Sequence, residues 1–248
     1  MKSYVNRVEK VLFPNHFLED FMKERSQIQE SLVKLYFRLN GYFSSGFIVH
    51  SDEHGKNKTE VDVLAIRLPY NSEPERGVPP SPFLPLKENH TNLAICEVKS
   101  KGQQLQFNDT MHSQPDTIVS ILRWVGLFKN DEINSLATEL ARAMQPANSK
   151  QDSITIINGP RNSIIYPLLS CPEKLNKRDN QPFYLHGKEI FQYIYDCFCP
   201  RSNRECCATK YDFTAWGKEF FPIVDYFKKR SLNDGPGTMK KLYNHLNV

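Results

Sequence analysis

The spacing of hydrophobic residues changes several times along the chain, and each spacing predicts a different element. Between residues 15 and 40, apolar side chains recur every three or four positions and stop at Asn40-Gly41, which is typical of a long amphipathic helix. Short runs rich in β-branched and aromatic residues are typical of strands. Together these patterns predict strands at 46–50, 59–68, 92–99, 153–158 and 163–168, and helices at 118–128, 133–144, 187–198 and 212–230.

The order of these elements predicts an α/β fold. A strand followed by two helices and another strand fits a right-handed crossover, which gives a mixed central β-sheet flanked by helices. We expect residues 1–169 to form this core and residues 170–248 to form an α-helical C-terminal appendage packed on it. A Gly235-Pro236-Gly237 break near the end is expected to leave a short basic tail.

Charged residues stand inside the two most apolar strands. Asp62 interrupts one of them, and the other ends in Glu97-Val98-Lys99. Side chains alternate along a strand, so Glu97 and Lys99 are expected to emerge on the same face. If the strands are neighbours, Asp62 and Glu97 supply two hard oxygen donors for Mg²⁺, with a cation beside them. The competing interpretation is a plain cross-strand salt bridge, although burial makes ion pairs poor stabilisers.

The Asp62 position followed by Glu97-Val98-Lys99 resembles the motif of the PD-(D/E)XK nuclease superfamily, with Val61 in place of the proline. The resemblance implies a restriction-endonuclease-like core and a Mg²⁺-dependent nuclease, with Mn²⁺ as a substitute ion. It implies that Asp62, Glu97 and the backbone carbonyl of Val98 ligate the metal and that Lys99 assists the attacking water. It also favours endonuclease activity on DNA over RNA, a role in defence, restriction or repair, and a homodimer.

Two further groups of residues are candidates for the same site. The family often takes an additional acid from the helix before the sheet, and Glu30, at the border of the buried stripe, fits that role or that of an ordinary helix-surface glutamate. After Lys99, the side chains of Ser100, Lys101 and Gln103 could hold phosphate oxygens, or could simply end the strand in a turn.

Charge, hydropathy and cysteine spacing limit the partners, compartments and metal sites that the chain can have. The net charge is only +4, which permits nucleic-acid binding without requiring it. No apolar run is long enough for a membrane helix, so we expect a cytoplasmic protein without membrane contact. Four of the six cysteines cluster at 197–207, but their spacing does not favour zinc, and buried free thiols are expected. Trp124 is expected in the core, the alternative being a platform on which nucleic-acid bases stack.

Two other functions stay open at this point. The chain could be a nucleic-acid-binding or assembly protein that keeps a nuclease fold without hydrolysis, or a structural subunit of a larger complex. No Ser-His-Asp or Cys-His arrangement is visible in the sequence, so hydrolysis through a covalent nucleophile has little support.

Overall fold

A computed structural model describes residues 15–51, 53, 55–73, 77–146, 152–176, 181–198 and 213–248, without the side chains of 15–23, 213 and 214. The helices are α1 (Asn15–Leu39), α2 (Asp109–Ser113), α3 (Pro115–Val125), α4 (Asn130–Ala143), α5 (Gly187–Phe198), α6 (Phe221–Lys228) and α7 (Met239–Leu246). The strands are β1 (Phe43–His50), β2 (Asn57–Arg67), β3 (Thr91–Val98), β4 (Ile157–Gly159), β5 (Ser163–Cys171) and β6 (Tyr184–His186). Short 3-10 turns lie at Phe213–Trp216, Lys218–Phe220 and Leu232–Asp234.

The strands form one open, mixed sheet in the order β1-β2-β3-β5-β4, with β6 also paired to β5. The first three strands are antiparallel, whereas β5 runs parallel to β3 after the crossover through α2, α3 and α4. All nine residues of β5 are buried, as expected for a strand covered on both faces. The predicted α/β fold with a mixed sheet between helices is therefore confirmed.

Helices cover both faces of the sheet and create two hydrophobic layers. Residues of α1, α5, α6 and α7 pack against one face, which includes Val63 and Cys96. Residues of α2, α3 and α4 pack against the other face, which includes Leu64 and Ile95. Consecutive residues of β2 and of β3 thus pack in opposite hydrophobic layers, because side chains alternate along a strand. This alternation determines which helices the charged residues of the strands meet.

A β-bulge interrupts β2 at the position of Asp62. Ser45 pairs with Leu64 and Phe47 pairs with Val61, so β2 uses one residue more than β1 over this interval. As a result Val61 and Val63 pack in opposite hydrophobic layers, although a regular strand would put them on the same face. Alternation alone therefore does not fix where the Asp62 side chain points.

The C-terminal region is part of the core sheet and of its hydrophobic layer, rather than an appendage packed on the outside. The expected division between residues 169 and 170 falls within β5, and β6 adds a strand to the sheet beyond it. The expected basic tail is instead α7, whose Met239, Leu242 and Tyr243 are buried in the same layer as α1. Within 212–230, the described residues form two 3-10 turns and the short helix α6.

Other local predictions are also corrected. The sequence from Ser113 to Asp116 fits a capping box, which predicts Ser113 as the cap of the following helix. Instead Ser113 ends α2, where its hydroxyl donates to the Asp109 carbonyl at 2.6 Å, and Gln114 takes the cap position of α3. Trp124 is 59% exposed and packs beside Phe47 at the sheet edge, with ring centroids 4.7 Å apart. It lies beyond the buried stripe of α3, so the expected core position was wrong.

The proline-rich connection between β2 and β3 packs on the α1 side of the molecule. The Ser81 backbone N–H donates to Asn40 Oδ1 at 2.7 Å, and its hydroxyl donates to Glu189 at 2.6 Å. Leu84 is buried in the layer formed by α1 and α5. These contacts tie the connection to the ends of two helices.

Only some of the six cysteines lie among the described residues, so only part of the cysteine prediction can be compared with the structure. Cys96 and Cys171 are buried, as expected, whereas Cys199, Cys206 and Cys207 lie outside the described residues.

No helix in the described part of the chain has both the length and the apolar character needed to cross a bilayer.

Candidate active site

The middle of β2 and the C-terminal end of β3 bring Asp62 next to the Glu97-Val98-Lys99 segment. The two strands are antiparallel neighbours, with Val63 paired to Cys96, so the condition that the sequence set for a shared site is met. The Val98 backbone N–H donates to Asp62 Oδ2 at 2.7 Å. The Asp62 carboxylate therefore reaches across the strand gap to the residue that directly follows Glu97.

The side chains of Glu97, in β3, and of Lys99, just after its end, meet on the same side, as expected from strand alternation. Lys99 Nζ lies 3.2 Å from Glu97 Oε1, and the two side chains are 13% and 6% exposed. The backbone of Lys99 is held by a 2.8 Å hydrogen bond from its N–H to the Ser170 carbonyl of β5. A carboxylate and an ammonium group are thus fixed together where the strand ends.

Asn108, just before α2, completes this contact and was not predicted. Its backbone N–H donates to Glu97 Oε2 at 2.9 Å, and its side-chain Oδ1 accepts from Lys99 Nζ at 3.0 Å. Nothing in the sequence marks Asn108, because it lies nine residues beyond Lys99 and approaches only when the turn after β3 folds back.

Burial raises the pKa of both carboxyl groups. The pKa of Asp62 rises to about 6, chiefly because the side chain is desolvated. The hydrogen bond from the Val98 N–H lowers this pKa, whereas the negative charges of Glu30 and, to a smaller extent, Glu97 raise it. The pKa of Glu97 is also raised by burial, against the lowering effects of Lys99 and the Asn108 N–H. Coupled carboxyl groups with raised pKa values are more common at functional sites than elsewhere, although structural networks show them too.

Glu30 lies at the edge of this cluster on α1. Its side chain is 26% exposed, accepts a hydrogen bond from Ser26 at 3.3 Å, and lies 3.7 Å from Lys34 Nζ. The expected position at the border of the buried stripe is therefore confirmed. Its charge acts on Asp62 more strongly than that of Glu97 does, which places it in the same electrostatic environment; its catalytic role stays a prediction.

Most polar groups of the turn after Lys99 form hydrogen bonds within the protein. The Ser100 backbone N–H donates to Gln103 Oε1 at 2.8 Å, and the Ser100 hydroxyl accepts from Gln29 of α1 at 3.1 Å. The Lys101 backbone N–H donates to Glu173 Oε2 at 2.6 Å, while its side chain stays exposed. Of the three expected phosphate ligands, Lys101 has the charge and exposure that this role needs.

The donor set is compatible with a hard divalent cation. Among the described residues, no group of three or more His, Cys, Asp or Glu side chains is arranged to hold a metal ion. Mg²⁺ usually takes only one or two carboxylates and completes its shell with water and phosphate oxygens. Asp62 and Glu97 supply that number of carboxylates, and Glu97 Oε1 is buried without a hydrogen bond of good geometry.

Removal of the Asn108 side chain tests its contact with Lys99. Asn108→Ala keeps the backbone bond to Glu97 but removes the acceptor for Lys99 Nζ, so we expect the phosphodiester cleavage that the sequence predicts to slow by about tenfold through loss of orientation. Measurements of the cleavage rate and of the melting temperature of each variant check this. Asn134→Ala, on the exposed surface of α4, is the control and should keep the full rate; equal rates in both variants would contradict the assignment.

Comparisons of the chain with protein-family models, with curated proteins and with solved structures found no significant match. The function of the chain is therefore inferred from the residues and geometry described above.

Proposed function

We propose that this protein is a Mg²⁺-dependent nuclease that hydrolyses phosphodiester bonds, with DNA favoured over RNA. The observation that carries the proposal is the pair of desolvated carboxylates, Asp62 and Glu97, on neighbouring strands with the Lys99 ammonium held against Glu97. Ion pairs at such depth are a poor source of stability, so a purely structural role explains them badly.

Each residue of the cluster has a role in this proposal. Asp62, Glu97 and the Val98 carbonyl would hold Mg²⁺, or Mn²⁺ in its place. When bound, such an ion polarises a phosphoryl oxygen and lowers the pKa of its water. Lys99 would orient the attacking water or offset the negative charge that develops on the phosphorane. Glu30 would act as an auxiliary acid beside Asp62.

The biological setting follows only from the family resemblance. It favours internal cleavage of DNA in defence, restriction or repair, and a homodimer that supplies one site for each strand. These remain expectations beside the chemical proposal.

One observation favours a second function, that of a nucleic-acid-binding protein without hydrolysis. Asp62 already accepts the Val98 N–H, and Glu97 is already bound by Asn108 and Lys99. A cluster that satisfies its own charges this well resembles a structural ion pair. Metal binding separates the two functions, because only the nuclease needs a cation at Asp62 and Glu97.

Incubation with labelled linear, circular and single-stranded DNA, and with RNA, tests the proposal directly. We expect cleavage with Mg²⁺ or Mn²⁺ and none with a chelator. Intact substrates under all conditions, from a folded protein whose melting temperature does not respond to Mg²⁺, Mn²⁺ or Ca²⁺, would favour the binding protein.

Metal affinity is expected to fall as the pH is lowered through 6. A metal ligand must be deprotonated, and the pKa of Asp62 lies at about 6. Protonation of this one group predicts an affinity loss of roughly tenfold between pH 7 and pH 5. Isothermal titration with Mn²⁺ at both pH values checks this; equal affinities would exclude Asp62 as a ligand.

A further inference from the structure

A basic groove begins directly beside the candidate active site. It has a volume of about 540 Å³ and lies between α1, the turn after β3 and the start of α7. We call it the α7 groove and define it by Arg25, Lys101, Glu173, Thr238, Lys240 and Tyr243. Three elements that are distant in sequence thus contribute one cation each to a single cavity.

The charge balance of the α7 groove favours an anion. Glu173 is its one carboxylate among the lining residues, and both of its oxygens are engaged: Oε2 accepts the Lys101 N–H at 2.6 Å, and Oε1 accepts the Tyr243 hydroxyl at 3.4 Å. The guanidinium of Arg25 lies 4.7 Å from the centre of the Tyr243 ring. Arg25, Lys101 and Lys240 therefore outnumber the acid three to one.

The groove is continuous with the candidate site through the backbone and through α1. Lys101 follows Lys99 by two residues, a distance of at most about 7 Å along the chain. Gln29, one helical turn after Arg25, donates to Ser100 between them. A strand with one phosphate at the candidate site would therefore carry its neighbouring phosphates into the groove.

We propose that the α7 groove binds backbone phosphates of the nucleic-acid strand on one side of the bond that is cleaved. This inference rests on the proposed nuclease function and assigns Arg25 and Lys240 as substrate-binding residues. Lysine and arginine side chains supply most phosphate contacts in such complexes. The first turn of α7, which begins after the Thr238 cap, adds the positive end of a helix dipole.

Charge reversal at two neighbouring lysines of α7 tests the proposal. Lys240 lines the groove, whereas Lys241 is likewise exposed, does not line it and acts on Asp234 instead. Anisotropy titrations with a fluorescent 20-nucleotide DNA, single-stranded and duplex, are run in a chelator so that no cleavage occurs. We expect Lys240→Glu to weaken binding roughly fivefold to tenfold at 0.1 M salt and to reduce the salt slope by about one. Lys241→Glu should stay within about twofold of the wild type.

The outcomes distinguish the groove from the nuclease function. Equal effects of Lys240→Glu and Lys241→Glu, or no effect of either, would overturn the groove assignment while Mg²⁺-dependent cleavage by the wild type still supports the nuclease. Failure of the wild type to bind either DNA at low salt would overturn the groove as a DNA site. Loss of cleavage with selective loss of binding in Lys240→Glu would support both.

Discussion

Replacing Lys99 with methionine is expected to reduce the rate of phosphodiester cleavage by at least about 100-fold. The ammonium is held 3.2 Å from Glu97 and 3.0 Å from Asn108, where it can face the attacking water and the charge that develops on the phosphorus. Methionine fills a similar volume without the charge. Single-turnover cleavage of a labelled DNA measures the effect.

Metal binding should survive this substitution, because Asp62 and the Glu97 carboxylate remain. A thermal-shift series with Mg²⁺, Mn²⁺ and Ca²⁺ should therefore still show stabilisation in Lys99→Met. Lys87→Met, at an exposed position before β3, is the control and should cleave at the wild-type rate. Unchanged turnover in Lys99→Met would refute the assigned role of Lys99.

Asp62→Asn is expected to abolish cleavage and the response to metal while making the protein more stable at pH 7. Desolvation is the largest cause of the raised pKa of Asp62, so its charge costs folding free energy. The rise from 3.8 to about 6 corresponds to a penalty of roughly 3 kcal/mol. Asparagine can still accept the Val98 N–H through its amide oxygen. We expect a melting temperature about 6 to 12 °C above that of the wild type.

The pH dependence of this gain has a definite sign. Because the pKa of Asp62 is higher in the folded protein than its ordinary value of 3.8, the folded state binds more protons between about pH 4 and 6. Wild-type stability from this group therefore falls as the pH rises through that window. The advantage of Asp62→Asn should be largest above pH 6 and disappear near pH 4. Glu139→Gln, an exposed change on α4, is the control; a similar gain there would remove Asp62 as the cause.

Elements with a strong internal period were predicted well from the sequence. The α1 helix ends at Leu39, just before the Asn40-Gly41 stop, and β2 and β3 match the two apolar runs within two residues. Short or weakly periodic segments were missed. Three-residue β6 and eight-residue α7 have too little length for a pattern, and packing against β5 and α1 stabilises them instead.

For the candidate site, the sequence by itself determined which charged residues stand in buried strands and that Glu97 and Lys99 share a face. Both facts follow from the order of residues within one strand, because the pleat repeats every two positions. The bulge at Asp62, the two hydrogen bonds of Asn108 and the meeting of Arg25, Lys101 and Lys240 at one groove were decided only by tertiary structure. Each depends on register or packing between segments far apart in the chain, and no local pattern of side chains encodes those distances.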